Sequence, residues 1–308
     1  MSLGFVEDRA YHRAREFLIR NEPEQRLDTR LSKNCFRALE DMVHKLYGEE
    51  AGYPRVEYSP RDSTVTIITA QSGLHAMAAV GLQRSIEDGL RTEVTNYGRG
   101  NLFSRFIPIQ DMLLNERDDQ SNLAVKKPDG GLLYEKDGVQ TIVAVIEIGV
   151  SESFARLKTD LRRWMDEFHC HTGIQGKAKV PVSRYSANDA VPFNDAVTEA
   201  RLHQPFGPYH YNGHDWFGTL DTAFIEIYRR GQTGPPQKTK VIENGQMLLQ
   251  GHSSNVGLTV ADLFPHDEED IQGIEKLLIR FDAARVQNLL ASGACRTAVT
   301  RFNNATTT

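Results

Sequence analysis

The stretch Val139 to Val150, VQTIVAVIEIGV, constrains this chain more than any other: twelve residues rich in Val and Ile and nearly free of polar side chains. That pattern predicts a strand buried on both faces. Glu147 breaks it, and an ionised carboxylate inside such a strand loses several kcal/mol of hydration unless a metal, a cation or several hydrogen bonds replace the water. Asp129 stands upstream, after Pro128 and before Gly130-Gly131, and Leu132–Tyr134 can form a strand before a Lys136-Asp137-Gly138 turn. Two antiparallel neighbours are then expected, with Asp129 at the start of the first and Glu147 near the end of the second. Both carboxylates come to the same end of the sheet, which is a divalent-metal site in outline, since Mg²⁺ takes hard oxygen ligands and only one or two protein carboxylates. The plainer reading stands beside it: an Asp after Pro serves turns, and a strand Glu serves salt bridges.

These residues carry a resemblance. Pro128-Asp129, the apolar strand ending in Glu147, and Ser151-Glu152-Ser153 ahead of an amphipathic helix resemble the PD-(D/E)XK nuclease-like superfamily. They are more closely similar to a group of fungal proteins related to its bacterial Uma2-like branch. The corresponding pieces are Val56-Glu57-Tyr58-Ser59-Pro60, Leu74-His75-Ala76, Lys127-Pro128-Asp129 and Glu147 to Ser151, so the likeness covers residues 54–170, with a fainter echo at Leu258–Phe264.

The resemblance implies an α/β (α+β) fold of restriction-endonuclease-like type, a mixed sheet flanked by helices. Residues 51–185 would form its core, residues 1–50 an N-terminal helical extension, and residues 186–308 the strands and helix that complete the same domain. It also implies Mg²⁺- or Mn²⁺-dependent phosphodiester hydrolysis of a nucleic acid, with Asp129, Glu147 and the Ile148 carbonyl on the metal. His75, Lys127, Ser151 and Arg162 would lie near the substrate. Two departures matter. The superfamily's lysine, two residues after the strand carboxylate, is Gly149 here, and the acidic residue after His75 is Ala76. Lys158, on the stretch SESFARLKTDLRRWM, is the candidate replacement that orients the attacking water, and equally a solvated helix charge. The rival to an active nuclease is a catalytically inactive member of the fold that binds nucleic acid or protein.

Composition agrees with a globular protein: 308 residues, 40% hydrophobic and 25% charged. A formal net charge of −5 argues against coating DNA by bulk electrostatics, so any nucleic-acid contact is local. The charged N-terminus has no signal-peptide core and no stretch reaches the length of a membrane span, so the expected location is the cytoplasm or nucleus. Cys35, Cys170 and Cys295 are odd in number and widely spaced, as reduced thiols are.

Elsewhere, Leu27, Leu31, Cys35, Leu39, Met42-Val43 and Leu46 predict one helix ending near Gly48. Arg55–Tyr58 and Val65–Thr69 predict a hairpin, Leu74–Leu90 a helix, Glu93–Tyr97 and Phe103–Ile109 extended pieces, and Asn115–Asn122 a loop. Ser153–His169 predicts a helix with Ser151 and Ser153 as caps. Residues 173–222 read as long loops with one strand near Lys179–Val182. Phe224–Tyr228 and Val241–Leu249 read as strands, Thr259–Phe264 as the start of an element, Glu268–Leu290 as a helix, and the tail from Asn303 as frayed. His169, His171, His210 and His214 offer zinc-type ligands without a zinc spacing. Tyr209, Tyr211, Trp216 and Phe217 form an aromatic cluster that serves base stacking or core packing.

Overall fold

A computed structural model describes residues 3–22, 25–48, 53–109, 112, 114–117, 123–150, 152–180, 197, 200–211, 213–251, 253–266 and 268–306. The fold is mixed α+β. It divides into two compact units, one of residues 1–72 with 111–128 and one of residues 73–110 with 129–308, which cuts across the segments expected at 1–50, 51–185 and 186–308.

The first unit holds helices α1 (Leu3–Arg20) and α2 (Lys33–Tyr47) and strands β1 (Arg26–Arg30), β2 (Arg55–Ser59), β3 (Thr64–Ile68), β5 (Leu114–Arg117) and β6 (Leu123–Lys126). The strands form one sheet in the order β1-β3-β2-β6-β5. The expected hairpin is β2–β3. The helix expected from Leu27 instead begins after Ser32, whose hydroxyl accepts the Cys35 N–H as an N-cap. Leu27 belongs to a strand because residues 26–30 pair along the full length of β3, with Thr66 Oγ1 donating to Asp28 at 2.8 Å. Asn115–Arg117 are likewise strand rather than loop; residues 118–122 lie outside the described residues. Phe36, Leu39 and Val43 of α2 bury the apolar face that their spacing predicts, against Val56, Tyr58, Val65 and Ile67, with Phe36 stacked on Tyr58.

In the second unit the strands are β4 (Phe106–Ile109), β7 (Gly130–Lys136), β8 (Val139–Gly149), β9 (Thr172–Lys179), β12 (Thr222–Arg229), β13 (Gln237–Glu243) and β14 (Gln246–Met247). They form a seven-stranded sheet ordered β14-β13-β12-β9-β8-β7-β4, in which β8 and β9 run parallel and the other pairs antiparallel. Two further antiparallel pairs, β10 (Tyr209–Tyr211) with β11 (His214–Phe217) and β15 (Ser254–Thr259) with β16 (Leu278–Phe281), form separate two-stranded sheets. Asp137 and Gly138 both have positive φ, as a two-residue hairpin turn requires, and this sets the β7–β8 register.

Helices α3 (Gly73–Asn96) and α5 (Ala283–Thr306) enclose an apolar cavity against one sheet face, with Leu82, Val286 and Leu290 meeting Ile148, Ala178 and Ile225. Helix α4 (Phe154–Glu167), capped by Ser153, lies on the other. Strand side chains alternate, so Ile146, Ile148 and Gly176 face α3 while Val145, Glu147, Gly149, Gly173 and Gln175 face α4. Several expectations change here. Glu93–Asn96 continue α3, because Val94 is wholly buried on it. Thr172–Lys179 is an interior strand rather than a loop, and Glu268–Leu290 is a short 3₁₀ turn, strand β16 and the start of α5 rather than one helix. Asn303–Thr306 are helical, with Phe302 packed on Trp216 of the aromatic cluster.

A polar knot ties residues 268–270 to the β4–β7 edge. Tyr134 donates to Glu268 at 2.6 Å, Lys136 to Glu268 at 2.9 Å, and Arg105 to both Tyr134 and Asp270. Burial alone would raise the Glu268 carboxyl, but hydrogen bonds from Lys136, Tyr134 and the Asp270 N–H more than reverse it and hold it at about 2, against an ordinary 4.5. A depressed carboxyl contributes stability that is present above the ordinary value and is lost as pH falls toward the folded one. Urea unfolding at pH 5 should therefore show wild type more stable than Glu268→Gln, with the gap narrowing by pH 3. A gap that stays constant would remove Glu268 from the acid response.

Candidate functional site at the end of strands β7 and β8

The β7–β8 register pairs Gly130 with Ile146, and one step further sets Asp129 opposite Glu147. Asp129 is fixed on both sides of its peptide: its N–H donates to the Ile146 carbonyl at 3.1 Å, and its Oδ2 accepts the Ile148 N–H at 2.8 Å. The same Oδ2 lies 2.9 Å from His75 Nε2, delivered by the first turn of α3, and the Asp129 side chain is only 2% exposed. A carboxylate so held is satisfied by donors rather than by water. His75 Nε2 thus stands against the carboxylate that the Ile148 N–H holds.

Glu147 is 4% exposed and projects toward α4, where Trp164 Nε1–H donates to its Oε1. Parallel pairing sets Gln175 of β9 beside it, fully buried, and Glu226 of β12 stands next in the row, held by Tyr228 at 2.8 Å and Lys238 at 3.0 Å. Two buried carboxylates thus flank a buried amide on three adjacent strands.

Lys158 and Arg162 sit elsewhere. Lys158 precedes Trp164 by six residues, which places it about 120° round the helix and about 9 Å along its axis from the side chain that reaches Glu147. Arg162 is exposed on the same flank. Ser151 lies outside the described residues. Lys127 belongs to the first unit, where its N–H donates to Glu57, its carbonyl accepts from Arg55, and its ammonium stands over the Tyr53 ring. The histidines disperse: His171 stacks on His266, His210 pairs with Asp215, and His169 contacts Arg230. Among the described residues no group of three or more His, Cys, Asp or Glu is gathered as metal ligands would be. Also among the described residues, no helix is long and apolar enough to cross a membrane.

A further lysine, Lys177, stands beside Gly149. Lys177 pairs with Gly149 across the parallel β8–β9 ladder, and a β-carbon on Gly149 would lie 3.3 Å from Lys177 Cδ and 3.6 Å from its Nζ. Its ammonium donates to the Val150 carbonyl at 3.1 Å and to that of Glu152. Burial lowers its pKa below the ordinary lysine value, with Glu152 opposing. The signal for Lys177 is not one of spacing, because it depends on a strand pairing distant in sequence.

No protein-family model matches this chain, and a search of curated proteins returned no match.

Proposed function

We propose that the second unit is a metal-dependent phosphodiesterase of the PD-(D/E)XK type, in which Lys177 supplies the cation that Gly149 lacks. The observation that carries this reading is the Lys177 ammonium, 3.6 Å from where a Gly149 β-carbon would stand. The mixed sheet with one parallel pair, covered by α3 and α5 on one face and α4 on the other, supports the restriction-endonuclease-like assignment. Asp129, Glu147 and the Ile148 carbonyl are all hard oxygen donors, the set that Mg²⁺ or Mn²⁺ takes, and two carboxylates suffice for such an ion. When bound, the ion lowers the pKa of a water and neutralises charge on the scissile phosphate. His75 and the Ile148 N–H hold Asp129 Oδ2 still, Trp164 does the same for Glu147 Oε1, and Lys177 orients the attacking water or stabilises developing charge.

One observation favours a second reading, the inactive member of the fold: both carboxylates already accept protein hydrogen bonds. Calorimetric titration of Mn²⁺ into wild type, Asp129→Asn and Glu147→Gln, with a parallel plasmid-nicking assay, separates the two. Binding in wild type that is lost in both variants, together with wild-type nicking, is the expected result. No Mn²⁺ uptake by wild type would leave the scaffold reading, and full uptake by both variants would remove the site as drawn.

A further inference from the structure

Gln175 of β9 is 0% exposed, and among the described residues neither its Oε1 nor its Nε2 has a hydrogen-bond partner. Buried amides are normally paired, because an unmet donor or acceptor carries its desolvation cost with nothing to offset it. An apolar side chain of similar size would fill the same space without that cost. A wholly buried amide at such a position points to a ligand that it meets.

The strand register narrows what that ligand is. Gln175 pairs with Glu147 across the parallel β8–β9 ladder and with Glu226 across the antiparallel β9–β12 ladder, so it stands between two carboxylate-bearing residues, about 5 Å from each neighbouring strand. The polar groups on its other sides are engaged. Glu226 accepts from Tyr228 at 2.8 Å and from Lys238 at 3.0 Å. Lys177, two residues along the same face of β9, donates to the carbonyls of Val150 and Glu152. Two residues the other way, the space above Gly173 belongs to Leu161 of α4, which a β-carbon there would strike. Beyond Glu147, one step past the Gly130–Ile146 pair, stands Asp129. Asp129, Glu147 and Gln175 thus occupy one row across three adjacent strands. An amide oxygen beside two carboxylates is a third hard donor of the kind that divalent cations accept.

We propose that Gln175 Oε1 is a further protein ligand of the divalent ion held by Asp129 and Glu147, supplied by β9. The proposal rests on the metal-dependent reading of that site. A neutral oxygen extends the coordination without adding a third negative charge to the row. Without the ion the amide is unmet, so Gln175 weakens the empty fold and strengthens the loaded one.

The test is calorimetric titration of Mn²⁺ into the full chain as wild type, Gln175→Leu and Gln175→Glu, with thermal unfolding of each in EDTA and in saturating Mn²⁺. Gln175→Leu is expected to bind Mn²⁺ at least about tenfold more weakly, the scale of losing even an outer partner of a metal ligand. In EDTA it should unfold at the wild-type temperature or above it, because an apolar side chain removes an unmet polar group. Gln175→Glu puts a charged oxygen at the same place. It should unfold earlier than wild type in EDTA, bind Mn²⁺ at least as tightly, and gain more thermal stability from the ion. An amide that merely donates to Glu147 gives the opposite result for Gln175→Glu, with Mn²⁺ binding weakened as in Gln175→Leu, and that outcome would overturn the ligand. So would Mn²⁺ affinity in Gln175→Leu equal to that of wild type, or unfolding of Gln175→Leu below wild type in EDTA, the mark of an amide held by the fold. Each of these leaves Asp129 and Glu147 standing. Absence of Mn²⁺ uptake by wild type is a separate failure: it removes the metal reading itself, and Gln175 with it.

Discussion

Trp164→Ala is expected to destabilise the protein by about 3–5 kcal/mol, near the upper end for a single core substitution. The indole is wholly buried, packs on Phe168 at 4.6 Å and donates its N–H to Glu147. Truncation opens a cavity and takes a charge-assisted donor from a buried carboxylate. The two effects separate in Trp164→Phe, which keeps most of the apolar contact and loses only the N–H; a cost of about 1–3 kcal/mol is expected there. Glu147→Gln in the Trp164→Phe background completes a cycle whose coupling measures that one hydrogen bond. Urea unfolding supplies all four values. Should Trp164→Phe match wild type, the indole N–H is not what keeps Glu147 in place, and the carboxylate must be held by another partner.

The hairpin that carries Asp129 and Glu147 was legible because every local signal agreed: a Val- and Ile-rich run, an Asp137-Gly138 turn that accepts positive φ, and a single carboxylate in apolar surroundings. Helix α4 was legible for the same reason, having an apolar stripe and a serine cap, whereas α2 was legible in its apolar stripe and its end near Gly48 but not in its start after Ser32. Strand β9 was not. Its sequence, TGIQGKAK, has two glycines, a glutamine and two lysines in eight residues, and nothing in it announces a buried strand. Tertiary packing selects those residues. A β-carbon on Gly173 would come within 2.0 Å of Leu161 Cδ2, and one on Gly176 within 2.6 Å of Ile148 Cδ1, so both helix and neighbouring strand approach β9 through its glycines. A parallel partner also leaves no turn signal, because the crossover through α4 separates β8 from β9. The acidic run before Ile271 read as a helix start, yet Glu268 is held there by Tyr134 and Lys136 from β7, partners more than a hundred residues away.

That same blind spot hid Lys177, and it sets the expectation for Lys177→Met. The substitution keeps the apolar stem and removes the ammonium beside Gly149. Cleavage is expected to fall by about 10²–10³-fold, the range for losing one water-orienting or charge-stabilising group. Mn²⁺ affinity should stay close to that of wild type, since the ligands proposed are Asp129, Glu147 and the Ile148 carbonyl. Lys177 also bonds the Val150 and Glu152 carbonyls, so a purely structural role would lower activity through folding. Two readouts divide these roles. Lys177→Arg retains a cation and should recover part of the rate. The pH profile is the second: burial lowers the Lys177 pKa, so its charge disappears as pH rises through a value below that of an ordinary lysine. Wild-type cleavage should therefore decline on the alkaline side earlier than lysine chemistry ordinarily dictates, and Lys177→Arg, whose guanidinium stays charged, should lack that decline. Cleavage by Lys177→Met at the wild-type rate would exclude Lys177 from the reaction, and with it the observation on which the enzyme reading rests.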